Sequence, residues 1–574
     1  MLAALISIVA TWLLIGPAFL GLGLALRRAA GVPAESPEDL LAAFWVGWAA
    51  ALGALQWTSL FLPIGWPARL IVLVLGVAGF VFHGRAIAAI AWPRNARRAA
   101  FVACLALFAL WLANQSTAPI VLYDAGLYHL TQVRWAASFP AVPGLGNLHV
   151  RLAYNNASFL YNAFMSAGPW QGLAHHVSNG LLLLAMAARL GLGAWRRLFG
   201  REAKPSDLAA LILLGPALSQ CFRHASSLSP DLPAFALGVL VCLELIRLAL
   251  DNLPPGAKRA AAFHVLVLAS AGLAVKLTFA VFGFTAAVAA LALLWRARPV
   301  FRPMAAAGVL SAFIVAPWFA RGVITSGCPF YPSQALAVNV DWRVPPEIAR
   351  NDLQWMRSWA RVPAAPPDQV LAGWSWLRPW TRGLFAYEEH VFDVVLPLLI
   401  ALIAGVALLA RPGPKPWRAA ACAIPCAAAI VFWFFSAPLP RYAAASLWAL
   451  AAGLAAAASL ARSSGRHGAF GRAAWAAAAL VLAAAACHGR DRFIAPGPDR
   501  GLYPLPVAAV EPRLTHSGLI VFTPRRGEQC WDAPLPCAPA LNPRLRLRQP
   551  GCLAAGFTLS SQRDLPALCK DALP

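Results

Sequence analysis

Residues 231–250 read DLPAFALGVLVCLELIRLAL, a run in which only Asp231, Glu244 and Arg247 are charged. A helix of about 20 mostly apolar residues is long enough to cross the hydrocarbon core of a bilayer. Over the 574 residues the hydrophobic share is 60% and the charged share is 12%. This composition is typical of a membrane protein. It excludes a disordered chain, a collagen, a secreted disulfide scaffold and an ordinary soluble enzyme.

Runs of this kind recur along the chain. We predict an all-α polytopic transmembrane protein with about fourteen spans. Two of them, 261–275 and 277–295, meet at Lys276 and could be short or broken helices. The others are 2–26, 40–62, 67–83, 99–113, 177–195, 207–219, 231–250, 303–320, 391–410, 418–435, 442–461 and 473–487. The first run is followed by Arg27 and Arg28 and preceded by no basic residue, the reverse of a signal peptide, so we predict that it is not cleaved.

The basic residues are distributed unevenly between the two sides of the predicted membrane. The chain has 47 Lys and Arg against 23 Asp and Glu, a formal net charge of +24. With the N-terminus outside, seven cytoplasmic loops hold 22 of these basic residues, whereas four short outer loops hold one each. Because Lys and Arg are enriched in cytoplasmic loops, we predict a multi-pass protein of a bacterial inner (plasma) membrane with both termini in the periplasm. The positive charge then indicates the orientation of the protein in the lipid bilayer. No cluster of basic residues suggests that the protein binds nucleic acid.

This topology divides the chain into four parts. They are extra N-terminal transmembrane helices at 1–98, a transmembrane core at 99–461, a last transmembrane helix at 462–487 and a periplasmic tail at 488–574. Two large loops of the core, 114–176 and 321–390, face outward. The tail carries many prolines and two short β-like runs, at 518–522 and 552–559, which predict a small α+β appendage.

The tail also carries four of the eleven cysteines. In an oxidising compartment they could form disulfides, and Cys530 with Cys537 would close the shortest loop. Free thiols are the alternative.

Several common motifs are absent from the sequence. There is no GxxxxGK[ST] or GxGxxG phosphate-binding loop, no Asp-x-Asp pair, no CxxC and no HExxH. No cofactor is therefore predicted, and a divalent metal ion stays open without a motif to support it. Chemistry at this membrane must use substrates that arrive from the outer side, which favours lipid-linked donors.

The loop after the fourth span reads YDAGLYHLTQVRW over residues 123–135. Asp124 is the only carboxylate between Asp39 and Glu202. A single acid just outside a span suits a general base. The alternative is an N-terminal cap of a helix that begins near Ala125, and one side chain could do both. Polar candidates for binding an acceptor follow in the same loop: His129, Arg134, His149, Arg151, Asn155 and Asn156.

Three isolated cations mark the outer side of the predicted membrane. Lys276 either extends to the interface or binds an anion. Arg321 and Arg441 lie beside aromatic residues and prolines, and an Arg fork binds phosphate through two parallel hydrogen bonds. Asp231 opens its span as either a cap or a functional acid. Loop 321–390 adds Tyr331, several tryptophans and the pair Glu388 and Glu389, which could orient an acceptor, join a metal or form a solvated turn.

This arrangement resembles the GT-C superfamily, the polytopic glycosyltransferases that use polyprenyl-phosphate-linked sugars. The resemblance covers roughly 99–460 and rests on an acid that opens the first large outer loop, a lysine between short spans, and the pattern Arg321…Ser326-Gly327…Pro329…Tyr331-Pro332. The strings around Tyr123-Asp124 and Pro143-Gly144, with Cys530-Trp531-Asp532, are also similar to uncharacterised bacterial multi-pass proteins of this kind. The superfamily often has paired acids in the first loop, whereas this loop has only Asp124.

The resemblance implies a role for each candidate residue. Asp124 would deprotonate an acceptor hydroxyl, and Lys276, Arg321 and Arg441 would hold the donor phosphate. The acceptor, which could be a glycan, a lipid or a protein, would meet His129, Arg134, His149, Arg151, Asn155, Asn156, Tyr331, Glu388 and Glu389. The sugar would be transferred with inversion and polyprenyl phosphate would leave.

Two other functions stay open on the sequence. A polysaccharide polymerase or ligase would share the lipid-linked chemistry. A transporter or flippase of lipid-linked glycans would need no catalysis, but such carriers usually show internal repeats and charges near the membrane midplane. Neither feature is apparent in this sequence.

Overall fold

The structure is a computed structural model. It describes residues 2–91, 95–200, 204–295, 301–410, 416–461, 481, 485 and 502–560. Within these ranges the chain is mostly helical, and small strands occur only towards its C-terminal end.

The helices of the N-terminal half come first. They are α1 (Leu2–Ala29), α2 (Pro37–Phe61), α3 (Trp66–Phe82), α4 (Gly84–Ala91), α5 (Ala96–Ser116), α6 (Leu130–Ser138), α7 (Leu145–Leu148), α8 (Ser158–Met165), α9 (Ser178–Phe199), α10 (Pro205–His224) and α11 (Asp231–Leu250). A π-helical turn, Ala125–His129, precedes α6.

The C-terminal half continues in the same way. Its helices are α12 (Pro255–Val275), α13 (Ala280–Leu294), α14 (Phe301–Ser326), α15 (Pro346–Arg361), α16 (Pro367–Leu371), α17 (Leu377–Ala386), α18 (Glu388–His390), α19 (Leu396–Ala410), α20 (Pro416–Ser436) and α21 (Pro440–Ala461). In the tail, β1 (Val510–Leu514) pairs antiparallel with β2 (Ile520–Pro524), and β3 (Leu545–Leu547) pairs antiparallel with β4 (Phe557–Leu559). The predicted small appendage therefore contains two short β-hairpins.

The protein is a helical multi-pass membrane protein, as predicted. Eleven of the described helices are long and apolar enough to cross a bilayer, and α3 with α4, bent by 62°, would make a twelfth span. Helix α21, of 22 residues, covers the predicted span at 442–461 and is not among these eleven. The predicted span at 473–487 lies outside the described residues except for positions 481 and 485. The count of fourteen stays a prediction.

Glycines bring the first three helices into close contact. A Cβ atom built on Gly23 of α1 would lie 1.7 Å from the Ala43 carbonyl oxygen of α2, and one on Gly21 would lie 2.1 Å from the Gly76 carbonyl oxygen of α3. Only glycine leaves room for such an approach, and small residues have this role where membrane helices pack. On the opposite side of α3, Leu70 and Ile71 are exposed, as expected of side chains that contact lipid.

A buried ion-pair network joins five helices at the end of the bundle where α1 and α11 finish. Glu244 of α11 accepts hydrogen bonds from Arg189 of α9 at 3.1 Å and from Arg247 at 2.6 Å. The His264 ring of α12 lies 3.6 Å from the same carboxylate and contacts Arg27 of α1. Arg27 in turn pairs at 2.9 Å with Asp39, which forms the capping box of α2 with Ser36. Each charge within this network has a partner of opposite sign.

The opposite end of the bundle, which we call the loop end, carries the long segments 117–177 and 327–387. The tail packs here. The Phe557 backbone N–H donates to the Pro143 carbonyl at 2.9 Å, and the Phe557 ring, which is fully buried, lies edge-on to Trp135 with centroids 5.8 Å apart. The tail and the first long segment therefore form one packed layer over the bundle.

We expect Glu244→Gln to destabilise the protein strongly, because the substitution leaves Arg189 and Arg247 buried without their shared carboxylate. Breaking a buried ion pair from one side costs about 3–5 kcal/mol. Thermal unfolding of the detergent-solubilised protein measures the effect, with Glu347→Gln, at an exposed position, as the control. Equal unfolding temperatures for the two variants would show that the network does not contribute to stability.

Candidate functional site

Four charged side chains meet at the loop end, where α11, α21, the junction of α12 with α13 and the segment after α5 converge. The Asp231 carboxylate contacts the Lys276 ammonium group and lies 3.7 Å from Nε of Arg441. Arg441 also donates from Nη2 to Oδ2 of Asp124 at 3.0 Å. Two acids and two cations thus form one linked cluster, which we call the charge cluster.

Local sequence explains why these side chains stand at helix ends. Lys276 adopts an extended conformation (φ −156°) between α12 and a 3-10 turn, so the predicted break in this region is present. Asp231 follows Pro230, and Arg441 is the second residue of α21 after Pro440. The Tyr442 ring supports both cations, with the Lys276 nitrogen 4.1 Å and the Arg441 guanidinium carbon 5.4 Å from its centroid.

Asp124 does not cap the helical turn that follows it. Its side chain makes no capping hydrogen bond to the π-helical turn Ala125–His129 and bonds instead to Arg441. The Asp124 side chain is 25% exposed and that of Arg441 is 40% exposed, so molecules from outside the bundle can reach this pair.

His129 is buried behind the charge cluster. Burial lowers its pKa to about 4, although the nearby Asp124 and Asp231 carboxylates oppose this shift. Its Nδ1 has no hydrogen-bond partner among the residues that the structure describes. The ring is therefore neutral near pH 7 and able to donate or accept one hydrogen bond.

A second polar group lies next to the cluster. The Tyr154 hydroxyl donates to Oδ2 of Asp352 at 2.8 Å, and Nε of Arg151 lies 3.7 Å from Oδ1 of the same carboxylate. Burial raises the pKa of Asp352, although Arg151 opposes the shift. The Tyr154 ring lies 6.2 Å from that of Tyr128, which adjoins His129, and 6.0 Å from that of Tyr331. These rings connect the two polar groups.

Several candidate residues from the sequence form contacts outside the charge cluster. The side-chain amide of Asn155 donates to the Trp318 carbonyl, and the Trp318 indole N–H donates to the Asn155 carbonyl. Burial, with a smaller contribution from Arg151, lowers the pKa of His149 to about 3. The backbone N–H of Asn156 bonds within its own turn, to Tyr154. Arg134 donates to the carbonyl of Ala533 in the tail.

The remaining candidates do not join the charge cluster. Arg321 is only 8% exposed, and its Nε and Nη1 atoms have no partner in the described part of the chain. Within the described part of the chain, Asp124 and Asp231 pair with Lys276 and Arg441, and no ion pair links either acid to Arg321. Glu388 and Glu389 are exposed, and Glu389 lies 3.4 Å from Arg223 of α10.

Two acids are more important in the structure than the sequence indicates. The sequence predicts either a cap or a functional acid at Asp231, and in the structure Asp231 contacts both cations of the cluster. Its position after Ser229-Pro230 at an outer turn was the available signal. Asp352 carried no signal, because nothing in the sequence separates it from the other charged residues of its helix.

A cavity of about 70 Å³ opens from the cluster between α11, α13, α20 and α21. Asp231, Lys276, Arg441 and Tyr442 form its polar head, and its walls are mostly apolar. The large apolar wall residues are Phe235, Phe279, Phe282, Phe432 and Trp433. The arrangement, which we call the groove, offers charge at one end and hydrocarbon along its sides.

No group of three or more His, Cys, Asp or Glu side chains suited to a metal ion occurs in the described ranges. The guanidinium group of Arg441 pairs with both Asp124 and Asp231.

Comparison with known proteins places most of the chain in one family. A family model described as a domain of unknown function (DUF8201) matches residues 5–448, which include every member of the charge cluster. No curated protein and no solved structure matches the chain.

We expect the unfolding temperature to fall as the pH decreases from about 6.5 to about 4. The native state keeps His129 neutral over this range, whereas the unfolded chain binds a proton there. His129→Gln removes this contribution, so the variant should lose less stability than the wild type over the same range. The exposed His516→Gln is the control. Identical pH profiles for the wild type and His129→Gln would contradict the assignment.

Proposed function

The chain belongs to the family described as a domain of unknown function (DUF8201), and from the site we propose that it is a membrane glycosyltransferase. It transfers a sugar from a polyprenyl-phosphate-linked donor to an acceptor hydroxyl, with inversion at the anomeric carbon. One observation carries this proposal: the groove has two cations at its head and apolar side chains along its walls. A lipid with a phosphate head group has the same division of chemistry.

The donor phosphate would bind at the polar head of the groove. Lys276 and Arg441 supply an ammonium group and a guanidinium fork, both of which bind phosphate oxygens. The isoprenoid chain would run along the walls between α13 and α20, where burial of apolar surface contributes to binding. Asp124 and Asp231 neutralise the two cations at the head of the groove.

Asp124 acts as the general base of the proposed reaction. The acceptor oxygen forms a bond to the anomeric carbon, its proton passes to Asp124, and the bond from that carbon to the phosphate oxygen breaks. Polyprenyl phosphate leaves with the electron pair of this bond. When Arg441 turns towards the donor phosphate, its pairing with Asp124 weakens and the carboxylate becomes free to accept the proton. Lys276 and Arg441 stabilise the charge that develops on the leaving phosphate.

Asp231 remains paired with Lys276 and orients that ammonium group towards the donor. The acceptor would approach across the opening near Asp124. His129 is buried behind the charge cluster, so Tyr154 and Arg151 of the neighbouring polar group would supply hydrogen-bonding groups for a glycan, a lipid or a protein acceptor.

Two features support a periplasmic site in a bacterial inner membrane. Basic residues gather in the loops at the opposite side of the predicted membrane. At the loop end, Cys530 and Cys537 form a disulfide, a bond that persists in oxidising compartments.

Asp124→Asn should abolish sugar transfer because the amide cannot accept the proton. Loss of a general base reduces the rate by about 10²–10⁴-fold. Release of polyprenyl phosphate by the purified protein, given a polyprenyl-phosphate sugar and candidate acceptors, measures this, and Asp368→Asn, exposed on α16, is the control. Full turnover in Asp124→Asn would exclude Asp124 as the base. Lipid scrambling without sugar transfer in the wild type would favour a carrier.

Ala429→Phe should obstruct the groove and raise the KM for a long-chain donor more than for a short-chain donor. Ala429 lines the groove from α20, whereas Ala427, two residues earlier, is exposed on another face of the helix. Ala427→Phe is therefore the matched control. The transfer assay with donors of two chain lengths measures both variants. Equal KM ratios for the two would show that the isoprenoid chain lies elsewhere.

A further inference from the structure

The tail contacts the segment that carries Asp124. In the tail loop, defined here as residues 528–537, the side-chain amide of Gln529 donates to the Tyr123 carbonyl at 2.8 Å. The backbone N–H of Trp531 donates to the Gly126 carbonyl at 3.1 Å. These two carbonyls flank Asp124, so the tail loop holds the backbone on both sides of the proposed base.

The Trp531 ring fits against Gly126 with no space to spare. A Cβ atom at Gly126 would lie 2.5 Å from the indole ring, so only glycine allows this contact. Trp531 itself has a φ of 45°, in the left-handed region that residues other than glycine rarely adopt. Non-glycine residues persist in this region only where the surrounding structure holds them there.

The turn beneath Trp531 has π-helical geometry. The Leu130 backbone N–H donates to the Ala125 carbonyl, which makes a wider turn than an α-helix. Single π-turns are uncommon and occur frequently at functional sites. Here the wide turn places Asp124 towards Arg441 and His129 behind it, and the tail loop covers its outer side.

The disulfide closes the tail loop, and a β-bridge joins the end of that loop to the small sheet. Cys530 precedes Trp531, and its partner Cys537 forms a β-bridge with Phe522 of β2. Both cysteines are buried. Arg134 of α6 holds the Ala533 carbonyl from the bundle side. The position of Trp531 therefore depends on the disulfide that closes the loop, on the β-bridge to β2 and on the contact with α6.

We propose that Trp531 is a positioning residue for Asp124 and that the Cys530–Cys537 disulfide keeps it in place, an inference that rests on the proposed function for its catalytic consequence. The tail is then a part of the site, and the oxidised tail loop is required for full activity. The donor phosphate binds to other elements, so loss of Trp531 acts on the reaction step and not on donor binding.

Trp531→Ala should lower the kcat of sugar transfer by about tenfold or more, as expected when a reacting group is displaced by a fraction of an ångström to 1 Å. The KM for the donor should stay unchanged. Trp531→Phe should recover most of the lost activity because its ring also covers Gly126. Trp359→Ala, which removes a half-exposed tryptophan of α15, is the matched control. Because a loss of folded protein also lowers the apparent kcat at constant KM, kcat is calculated per folded protein, as measured by size-exclusion chromatography. A deficit that disappears with this correction would give Trp531 a structural role alone and would overturn the inference.

Reduction of the Cys530–Cys537 disulfide provides a second test of the inference. Dithiothreitol should lower the kcat of the wild type reversibly, whereas the double variant Cys530→Ser, Cys537→Ser should be slow and insensitive to the reductant. Amide hydrogen exchange at residues 125–130 should become faster in Trp531→Ala and in the reduced wild type. This measurement needs no substrate. Faster exchange in a protein that transfers no sugar would support the positioning of the Asp124 segment and overturn only the proposed reaction. Wild-type exchange together with wild-type kcat in Trp531→Ala would overturn the inference.

Discussion

Charge that is buried in an apolar bundle must be neutralised by a partner, and α11 shows how both ends of this molecule depend on that constraint. The helix is almost completely buried and carries one acid near each end. Glu244 pairs with Arg189 and Arg247 at one end, and Asp231 pairs with Lys276 and Arg441 at the other. The two ends differ in accessibility. The Glu244 network is enclosed by helices and serves packing, whereas the Asp231 cluster opens to the outside through Arg441 and Asp124.

Hydrophobic runs were sufficient to predict most of the helices. The predicted span at 231–250 coincides with α11, and the predicted break at Lys276 is present between α12 and α13. The predicted span at 67–83 coincides with α3, but the bend of 62° between α3 and α4 was not predicted, because hydropathy contains no information on bending. The residues of the charge cluster could not be grouped from hydropathy. Arg441 and Asp124 are 317 positions apart in the sequence, and only the packing of α21 against the first long segment brings them together.

The contribution of the tail could not have been predicted for a related reason. Its cysteines suggested a disulfide, but nothing in the sequence indicated that the loop it closes would lie over Gly126. The tail loop bonds to the carbonyls of Tyr123 and Gly126 through one side chain and one backbone amide. A backbone hydrogen bond can be made by almost any residue type, so the sequence does not reveal it. The only residue type that this contact requires is the glycine at position 126.

The charge cluster contains two carboxylates and two cations and therefore has no net charge at rest. A sugar phosphodiester brings one negative charge, and the proposed reaction conserves the total because the proton stays on Asp124 while the phosphate becomes a monoester. Once Asp124 releases that proton to water, the site holds one more negative charge than before. Repulsion between the restored carboxylate and the phosphate monoester then favours its departure. In this scheme polyprenyl phosphate dissociates after Asp124 has lost its proton to water. The rate of turnover therefore depends on the access of water to this one side chain.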